Sequence, residues 1–209
     1  MTFVVVDIET TGLSKLRHKI TEIAGIRTEN GQVLDEFHTL VDPEVRIPPF
    51  ITHLTGIDNE TVRGAPVIDD AITDFTEFLG DSVLVAHNAT FDYGFLSHNA
   101  SFVDIELCNR RLCTRKLAVR LLPMLTSKRL EVLCQHFRII NGDRHRAMGD
   151  ARATLCVFNN FVRMLRRMGI EEKRDIIRFE RSSRREIIEK YGAPWLPKKA
   201  AVKYVQTAD

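Results

Sequence analysis

The amino end most constrains the fold, because an apolar, β-branched run is followed there at once by acidic side chains. Residues 3–8 are almost all apolar, which is typical of a strand buried on both faces. Asp7 and Glu9 end this run, and side chains of a strand alternate with period two, so both carboxylates share one face. The sequence predicts a central strand with two carboxylates at its carboxyl edge, where ligand sites of α/β sheets collect.

Two explanations remain open for this pair of carboxylates. A strand end carries charged residues simply because it emerges into water. Alternatively, Asp7 and Glu9 hold a divalent cation, which would remove the repulsion between two negative charges at one place. The pair alone does not decide between these explanations.

A second acidic candidate follows another apolar run. Residues 82–86 are predicted to form a buried strand, and the sequence His87-Asn88-Ala89-Thr90-Phe91-Asp92 then leads into a helical pattern over residues 91–100. Asp92 would lie in the first helical turn, where a carboxylate also stabilises the helix dipole without any further role. A helix start beside a strand end nevertheless places Asp92 at the same sheet edge as Asp7.

The third candidate lies at the start of the longest predicted helix, over residues 147–168. His145 and Asp150 are five residues apart, and on one regular helix this spacing turns them about 140° from each other. The two side chains can converge only if His145 stands on the loop before the helix. An exposed loop histidine without a function is the alternative.

The remaining pattern predicts a mixed α/β domain. Residues 19–28 and 32–41 alternate apolar with polar side chains around Asn30-Gly31, the strongest short hairpin signal. Helical patterns follow over residues 48–56, 67–79 and 116–122, with a short strand at 111–113 before the last of these three. Ser183 and Glu186 have the spacing of a capping box that opens a last helix over residues 187–191.

Charge and cysteine content limit the class of protein. Residues 161–209 hold thirteen Lys and Arg against seven Asp and Glu, a net charge of +6, whereas residues 1–160 carry −4. A basic end attracts polyanions, although solvated helix faces explain the same count. Four cysteines without a C-x-x-C pair indicate free thiols. With no apolar stretch long enough for a membrane helix at the amino end, we expect a soluble, cytoplasmic protein.

Together the three segments predict one site for a hard cation. Oxygen ligands select Mg²⁺ or Mn²⁺ over Zn²⁺, and two such ions can clamp a phosphodiester between an attacking water and a leaving oxygen. A histidine can accept a proton near neutral pH, so His145 is the candidate general base. The candidate metal ligands are the four carboxylates Asp7, Glu9, Asp92 and Asp150.

These motifs resemble those of the DEDDh, or DnaQ-like, 3′–5′ exonucleases, a family that includes the proofreading epsilon subunit of bacterial DNA polymerase III. The resemblance covers residues 2–161, and the histidine places the chain in the histidine branch. It implies an RNase H-like fold, with a mixed five-stranded sheet flanked by helices and a helical carboxyl-terminal extension. We therefore expect an exonuclease domain over residues 1–168 and a basic extension and tail over 169–209.

The resemblance also implies a reaction and its residues. It indicates removal of nucleoside 5′-monophosphates from the 3′ end of single-stranded nucleic acid by two metal ions, with His145 as base and DNA favoured over RNA. The residues implied to contact the terminal nucleotide are Thr10, Thr11, Gly12, Leu13, His53, Leu54, Asn88 and Phe91.

Other functions remain compatible with the sequence. The same motifs occur with RNA as substrate, so a 3′ exoribonuclease is the nearest alternative. An accessory subunit that docks on a polymerase through residues beyond Gly169 is a second. The segment 194–209, with Trp195, Leu196 and Tyr204 among lysines, is either a docking segment, a linker or unstructured.

Overall fold

A five-stranded mixed sheet forms the centre of the protein. The computed structural model describes residues 2–192. The strand order is β3-β2-β1-β4-β5, in which β1 is antiparallel to β2, β2 is antiparallel to β3, and β1, β4 and β5 run parallel. The strands are β1 (Thr2–Thr10), β2 (Ile20–Glu29), β3 (Gln32–Leu40), β4 (Val83–Ala86) and β5 (Arg111–Cys113).

Helices cover both faces of this sheet. In the described residues they are α1 (Pro49–Thr55), α2 (Ile68–Leu79), α3 (Ala89–Ala100), α4 (Thr114–Leu121), α5 (Leu130–Phe137), α6 (Ala147–Arg166), α7 (Lys173–Arg181) and α8 (Arg184–Tyr191), with a 3₁₀ turn at Ser101–Val103. The predicted mixed α/β architecture is confirmed, and the boundaries that were predicted differ from these by up to three residues, while α5 and α7 had no predicted bounds. Helix starts contribute most of the difference, because their polar residues lie outside the apolar pattern.

The hairpin of β2 and β3 forms where the sequence predicts it. Asn30 and Gly31 both have positive φ, 53° and 86°, as a two-residue hairpin turn of the type that matches strand twist requires. Strand β2 is buried along most of its length although its sequence alternates. It lies between β1 and β3, and α6 packs on one of its faces while α2 packs on the other.

Each face of β1 supplies a separate core. Phe3 and Val5 pack on the side of α6, where Phe3 meets Phe158 edge to face at 5.0 Å between ring centroids. Val4 and Val6 pack on the other side, with Phe75 of α2 and Phe95 of α3. Alternation along the strand thus places apolar residues on both sides, and the two cores hold the strand end rigidly where the acidic residues begin.

The carboxyl-terminal helices pack into the α6 side of the protein. Ile176, Ile177 and Phe179 of α7 and Ile187 of α8 are buried in the same apolar cluster as β1 and α6. The predicted capping box is confirmed, since Ser183 Oγ accepts from the Glu186 N–H at 3.2 Å and the Glu186 carboxylate accepts from the Ser183 N–H at 2.6 Å. The predicted tail at 194–209 lies outside the described residues.

The thiols agree with the expectation from the cysteine spacing. Cys108, Cys113, Cys134 and Cys156 are all free. Within residues 2–192, none of the helices has the length and apolar character needed to cross a lipid bilayer.

Candidate active site

The carboxyl edge of β1 and β4 brings the first three carboxylates together. Asp7 and Glu9 stand at the end of β1, and α3 begins directly after β4 through Asn88, whose φ of 85° turns the chain back towards the sheet. Asp92 then lies in the first turn of α3 with only 4% of its surface exposed. The backbone of Ile8 lies near enough to the Asp92 carboxylate to oppose the rise in its pKa that burial causes, so the helix start lies beside β1.

Helix α6 contributes the fourth carboxylate and the histidine. The helix begins at Ala147 with Arg146 as its N-cap, so His145 stands on the preceding loop in a left-handed conformation, with φ of 60°. This confirms the loop position that convergence with Asp150 requires. The Asn141 side-chain amide donates to Asp150 Oδ1 at 2.6 Å. His145 lies near enough to this carboxylate to oppose the rise in its pKa that burial causes.

Gly149 lets this loop fold tightly onto the first turn of α6. A Cβ atom at this position would lie 2.0 Å from the backbone oxygen of Asp143, far inside any real contact. The side chain of glycine, a hydrogen, is the only one that fits. The loop from Asp143 to His145 therefore rests directly on the helix that carries Asp150.

Three carboxylates lie close enough to share an ion. One oxygen each of Asp7, Glu9 and Asp150 lie within 4.8 Å of one another. Asp92 is outside this group of three, yet its charge raises the pKa values of both Asp7 and Glu9. The four predicted carboxylates thus occupy one region, with three of them at ligand spacing.

The electrostatic state of this region favours a cation. Burial, followed by repulsion from the neighbouring carboxylates, raises the pKa of Asp7 well above its ordinary range and that of Glu9 to about 8. Burial raises the pKa of Asp92 to about 7 and also raises the pKa of Asp150, against the hydrogen bond from Asn141. Clustered carboxylate oxygens of this kind are donors that suit Mg²⁺ or Mn²⁺.

The residues after β1 form a tight loop. Thr10 Oγ1 donates to the Gly12 backbone oxygen at 2.7 Å, and Thr11 Oγ1 accepts from the Lys19 N–H at 3.0 Å. Gly12 lies against the His18 ring, 2.3 Å from where its Cβ would stand. The hydroxyls of both threonines therefore make hydrogen bonds within the loop. Leu13 of this loop has 86% of its surface exposed.

The other predicted substrate residues lie on helix surfaces. His53 and Leu54 are exposed on α1, and Phe50 one turn earlier is exposed as well. Phe91 is half-buried in α3 and packs on Phe95 at 5.0 Å between ring centroids, while Asn88 is exposed. Contact of these residues with a nucleotide stays a prediction.

The sequence reasoning missed three residues that shape the site. Asn141 holds Asp150, while Arg144 and Arg129 line a cavity of about 450 Å³ beside His145 and Asp150. Arg129 is the N-cap of α5, and Asn141 and Arg144 lie in the loop after that helix. None of the three belongs to a periodic pattern, so nothing in the sequence separates them from ordinary surface residues.

This fold and this acidic edge define a class of protein, and comparison with known proteins identifies it. Residues 4–158 match the RNase_T family, described as an exonuclease family. The chain belongs to this family, and the resemblance to DnaQ-like 3′–5′ exonucleases is confirmed. The expected RNase H-like fold is confirmed as well.

Individual relatives agree with this assignment. DNA polymerase III PolC-type of Clostridium perfringens is 42% identical over 171 residues, which are 81% of this chain and 12% of that polymerase. The chain therefore spans only a small part of such relatives.

Solved structures match over most of the described residues. Exonuclease X in complex with 5′ overhanging duplex DNA is 27% identical with a TM-score of 0.67, covering 84% of this chain and 99% of the other. Exonuclease I of E. coli in complex with a dT13 oligonucleotide shares the fold, with a TM-score of 0.72 and 19% identity over 80% of this chain and 42% of the other.

Proposed function

We propose that this protein removes nucleotides one at a time from the 3′ end of single-stranded DNA and releases nucleoside 5′-monophosphates. The observation that carries the proposal is the group of Asp7, Glu9 and Asp150 oxygens within 4.8 Å of one another. Such crowding of partly buried carboxylates is costly without a cation. Membership of an exonuclease family supports this reaction over others that use the same ligands.

The donor set fits two divalent ions, either Mg²⁺ or Mn²⁺. The residues that would hold them are Asp7, Glu9, Asp92 and Asp150. Bound ions supply the positive charge that activates water and stabilises the leaving 3′ oxygen. The carboxylates would determine where the ions bind, because two of them lie at the end of a strand and the other two lie in the first turns of helices.

His145 is the proposed general base. It would accept a proton from the attacking water while the bond between phosphorus and the 3′ oxygen breaks, leaving a 5′-monophosphate. Its loop rests on Gly149, and His145 lines the same cavity as Asp150, so the imidazole would stand beside that carboxylate. The cavity next to it gives the side chain room to meet a substrate.

The substrate is proposed to contact the loop after β1 and the exposed face of α1. Leu13, His53 and Leu54 present apolar or aromatic surface on which a base can stack. Thr10, Thr11 and Gly12 would contribute through their backbone, since both hydroxyls are engaged. Asn88 and Phe91 would lie on the other side of the scissile bond.

DNA rather than RNA is the proposed substrate, and a DNA polymerase is the proposed partner. Both follow from relatives named as DNA polymerases and from an exonuclease structure that holds DNA. Docking is proposed to involve the basic extension from residue 169 onward, whose arginines within residues 169–192 are exposed.

The test uses DNA and RNA oligonucleotides of one sequence, each labelled at the 5′ end, with the purified chain and Mg²⁺ or Mn²⁺. We expect a ladder that shortens from the 3′ end on DNA, and no ladder with the Asp7→Asn variant. A ladder mainly on RNA would show that the protein is a 3′ exoribonuclease and would contradict the proposed DNA substrate. Degradation that does not depend on metal would contradict the proposed reaction.

A further inference from the structure

A fifth carboxylate, Glu22, lies on the strand next to β1 and is not one of the proposed metal ligands. Glu22 is fully buried on β2 and pairs in register with Glu9 of β1. A buried carboxylate is costly unless it is paired and hydrogen-bonded, and Glu22 is both. Its oxygens are occupied by protein groups, so it is not available as a metal ligand.

The partners of Glu22 include the first residues of α6. Arg146 Nη2 donates to Glu22 Oε1 at 2.7 Å, and Arg146 Nε lies 3.2 Å from each carboxylate oxygen. The Ala147 N–H donates to Glu22 Oε2 at 2.8 Å. His38 of β3 completes the shell, with Nε2 at 2.7 Å from Oε1.

These contacts tie the start of α6 to the sheet. His145 directly precedes Arg146, and the Asp150 N–H donates to the Arg146 backbone oxygen at 3.0 Å. Any displacement of Arg146 therefore moves both the loop that carries His145 and the turn that carries Asp150. By contrast, Asp7 and Glu9 are fixed by the strand itself.

We propose that Glu22 is a positioning residue, which sets the distance of Asp150 and His145 from Asp7 and Glu9 by anchoring Arg146 and Ala147. The inference rests on the proposed metal site and deepens it. Strand β2 carries the anchor and β1 carries the fixed carboxylates, so the register between two neighbouring strands determines the geometry of the site.

The charge of Glu22 matters as well as its shape. Arg146 and Glu22 form a fork with two parallel contacts, a geometry that lysine does not reproduce. Glutamine at position 22 would keep the size of the side chain while losing the charge that holds the guanidinium. One of the two oxygens that accept from Arg146 and Ala147 would also become an amide NH2 group, which cannot accept a hydrogen bond.

The test compares Glu22→Gln with Glu180→Gln. Glu180 is a matched control, because it is also a buried glutamate with a cationic partner, Lys116 at 3.7 Å, but it pairs with α4 rather than α6. Two quantities are measured: Mn²⁺ affinity of the nucleic-acid-free protein by calorimetry, and kcat and KM on a DNA oligonucleotide. Thermal unfolding shows that each variant is folded at the assay temperature.

We expect Glu22→Gln to weaken Mn²⁺ binding and to lower kcat, each by about tenfold to a hundredfold, the usual range when a residue that orients a ligand is lost. The KM for DNA should stay unchanged, and Glu180→Gln should change neither quantity. A purely structural role would lower the melting temperature of both variants and leave metal affinity intact.

A second variant protects the test against misfolding. Arg146→Lys removes the fork at a side chain that is 39% exposed, so its cost in stability is smaller, and we expect losses of the same kind. A folded Glu22→Gln or Arg146→Lys protein with wild-type Mn²⁺ affinity and kcat would overturn the inference. If the wild-type protein binds Mn²⁺ but degrades no nucleic acid, the proposed function fails while the metal measurement still tests Glu22.

Discussion

The carboxylate edge and the basic carboxyl-terminal helices carry opposite charge in very different ways. At the edge, Asp7, Glu9 and Asp150 are crowded within 4.8 Å and their positions are fixed by a strand end and a helix start. On the helices, Arg163, Arg166 and other arginines are exposed and spread over several turns. Hydrolysis requires charges in fixed places, whereas attraction of a polyanion requires only their sum.

The two regions also differ in what burial does to them. Burial and repulsion raise the pKa of Glu9 to about 8, so the edge is destabilised in the absence of a cation. The arginines of the basic helices avoid this cost, because they stay in water while Ile176 and Phe179 are buried in the core. The five predictions below test this contrast, from the largest expected effect to the smallest.

Loss of a carboxylate should give the largest effect. Asp7→Asn should lower kcat by about ten-thousandfold or more, since metal ions contribute several kcal/mol of transition-state stabilisation. The metal-free variant should melt at the same temperature as wild type or higher, because one repelling charge is gone. Steady-state kinetics and a melting curve check both. Wild-type activity in this variant would contradict the metal assignment.

Loss of the histidine should cost less. We expect His145→Ala to lower kcat by about a hundredfold to a thousandfold, the usual contribution of a general base, while binding of DNA and of Mn²⁺ changes little. The matched control is His53→Ala, which lies on the predicted substrate surface and should raise KM rather than lower kcat. Equal losses of kcat in the His145→Ala and His53→Ala variants would contradict the assignment of His145 as the general base.

Shortening a buried side chain of α7 tests how much the carboxyl-terminal helices contribute to stability. Ile176 is fully buried in the same core as β1, so Ile176→Ala should destabilise the protein by about 2–5 kcal/mol without changing kcat of the folded enzyme. Chemical denaturation gives the free energy of unfolding. Deletion of residues 170–209 would remove part of the core together with any docking surface, so loss of docking could not be told apart from unfolding. A docking test should instead remove only residues 193–209.

The pH dependence of stability should follow from the acidic edge. Glu9 and Asp92 have pKa values raised to about 8 and about 7, so between their ordinary values and these the folded state holds more protons than the unfolded chain. Stability of the metal-free protein should then fall as pH rises from about 5 to about 8. Melting curves with and without Mg²⁺ check this, and Glu9→Gln should flatten the curve.

Neutralising the basic helices should have the smallest effect. Replacing Arg163, Arg166 and Arg167 by glutamine should raise KM for long single-stranded DNA modestly and reduce the salt dependence of binding. Very short oligonucleotides are the control substrate, because they cannot reach from the carboxylates to the far end of α6. A fall in kcat on short substrates would show that the two regions are not separate.

The sequence predicted best what depends on local pattern. Strand β1, the turn at Asn30-Gly31, the capping box at Ser183 and the loop position of His145 all follow from short-range rules, and the structure confirms them. The carboxylates could be grouped because strand ends and helix starts meet at one sheet edge.

What the sequence could not supply depends on contacts between distant segments. Glu22 and Arg146 are 124 residues apart, and Asn141 holds Asp150 from a loop without periodic pattern. Gly149 is needed only because the Asp143 backbone lies against it. A charged residue in the apolar stretch at 20–24 was the one available signal for Glu22.

Calorimetric titration of the nucleic-acid-free protein with Mn²⁺ near pH 7 tests the central claim most directly. The account predicts two ions per chain, with protons released on binding because carboxyls with raised pKa must lose them, and it predicts loss of this binding in Asp7→Asn. No binding at all, or equal binding and proton release in the variant, would contradict the claim that these carboxylates form the metal site.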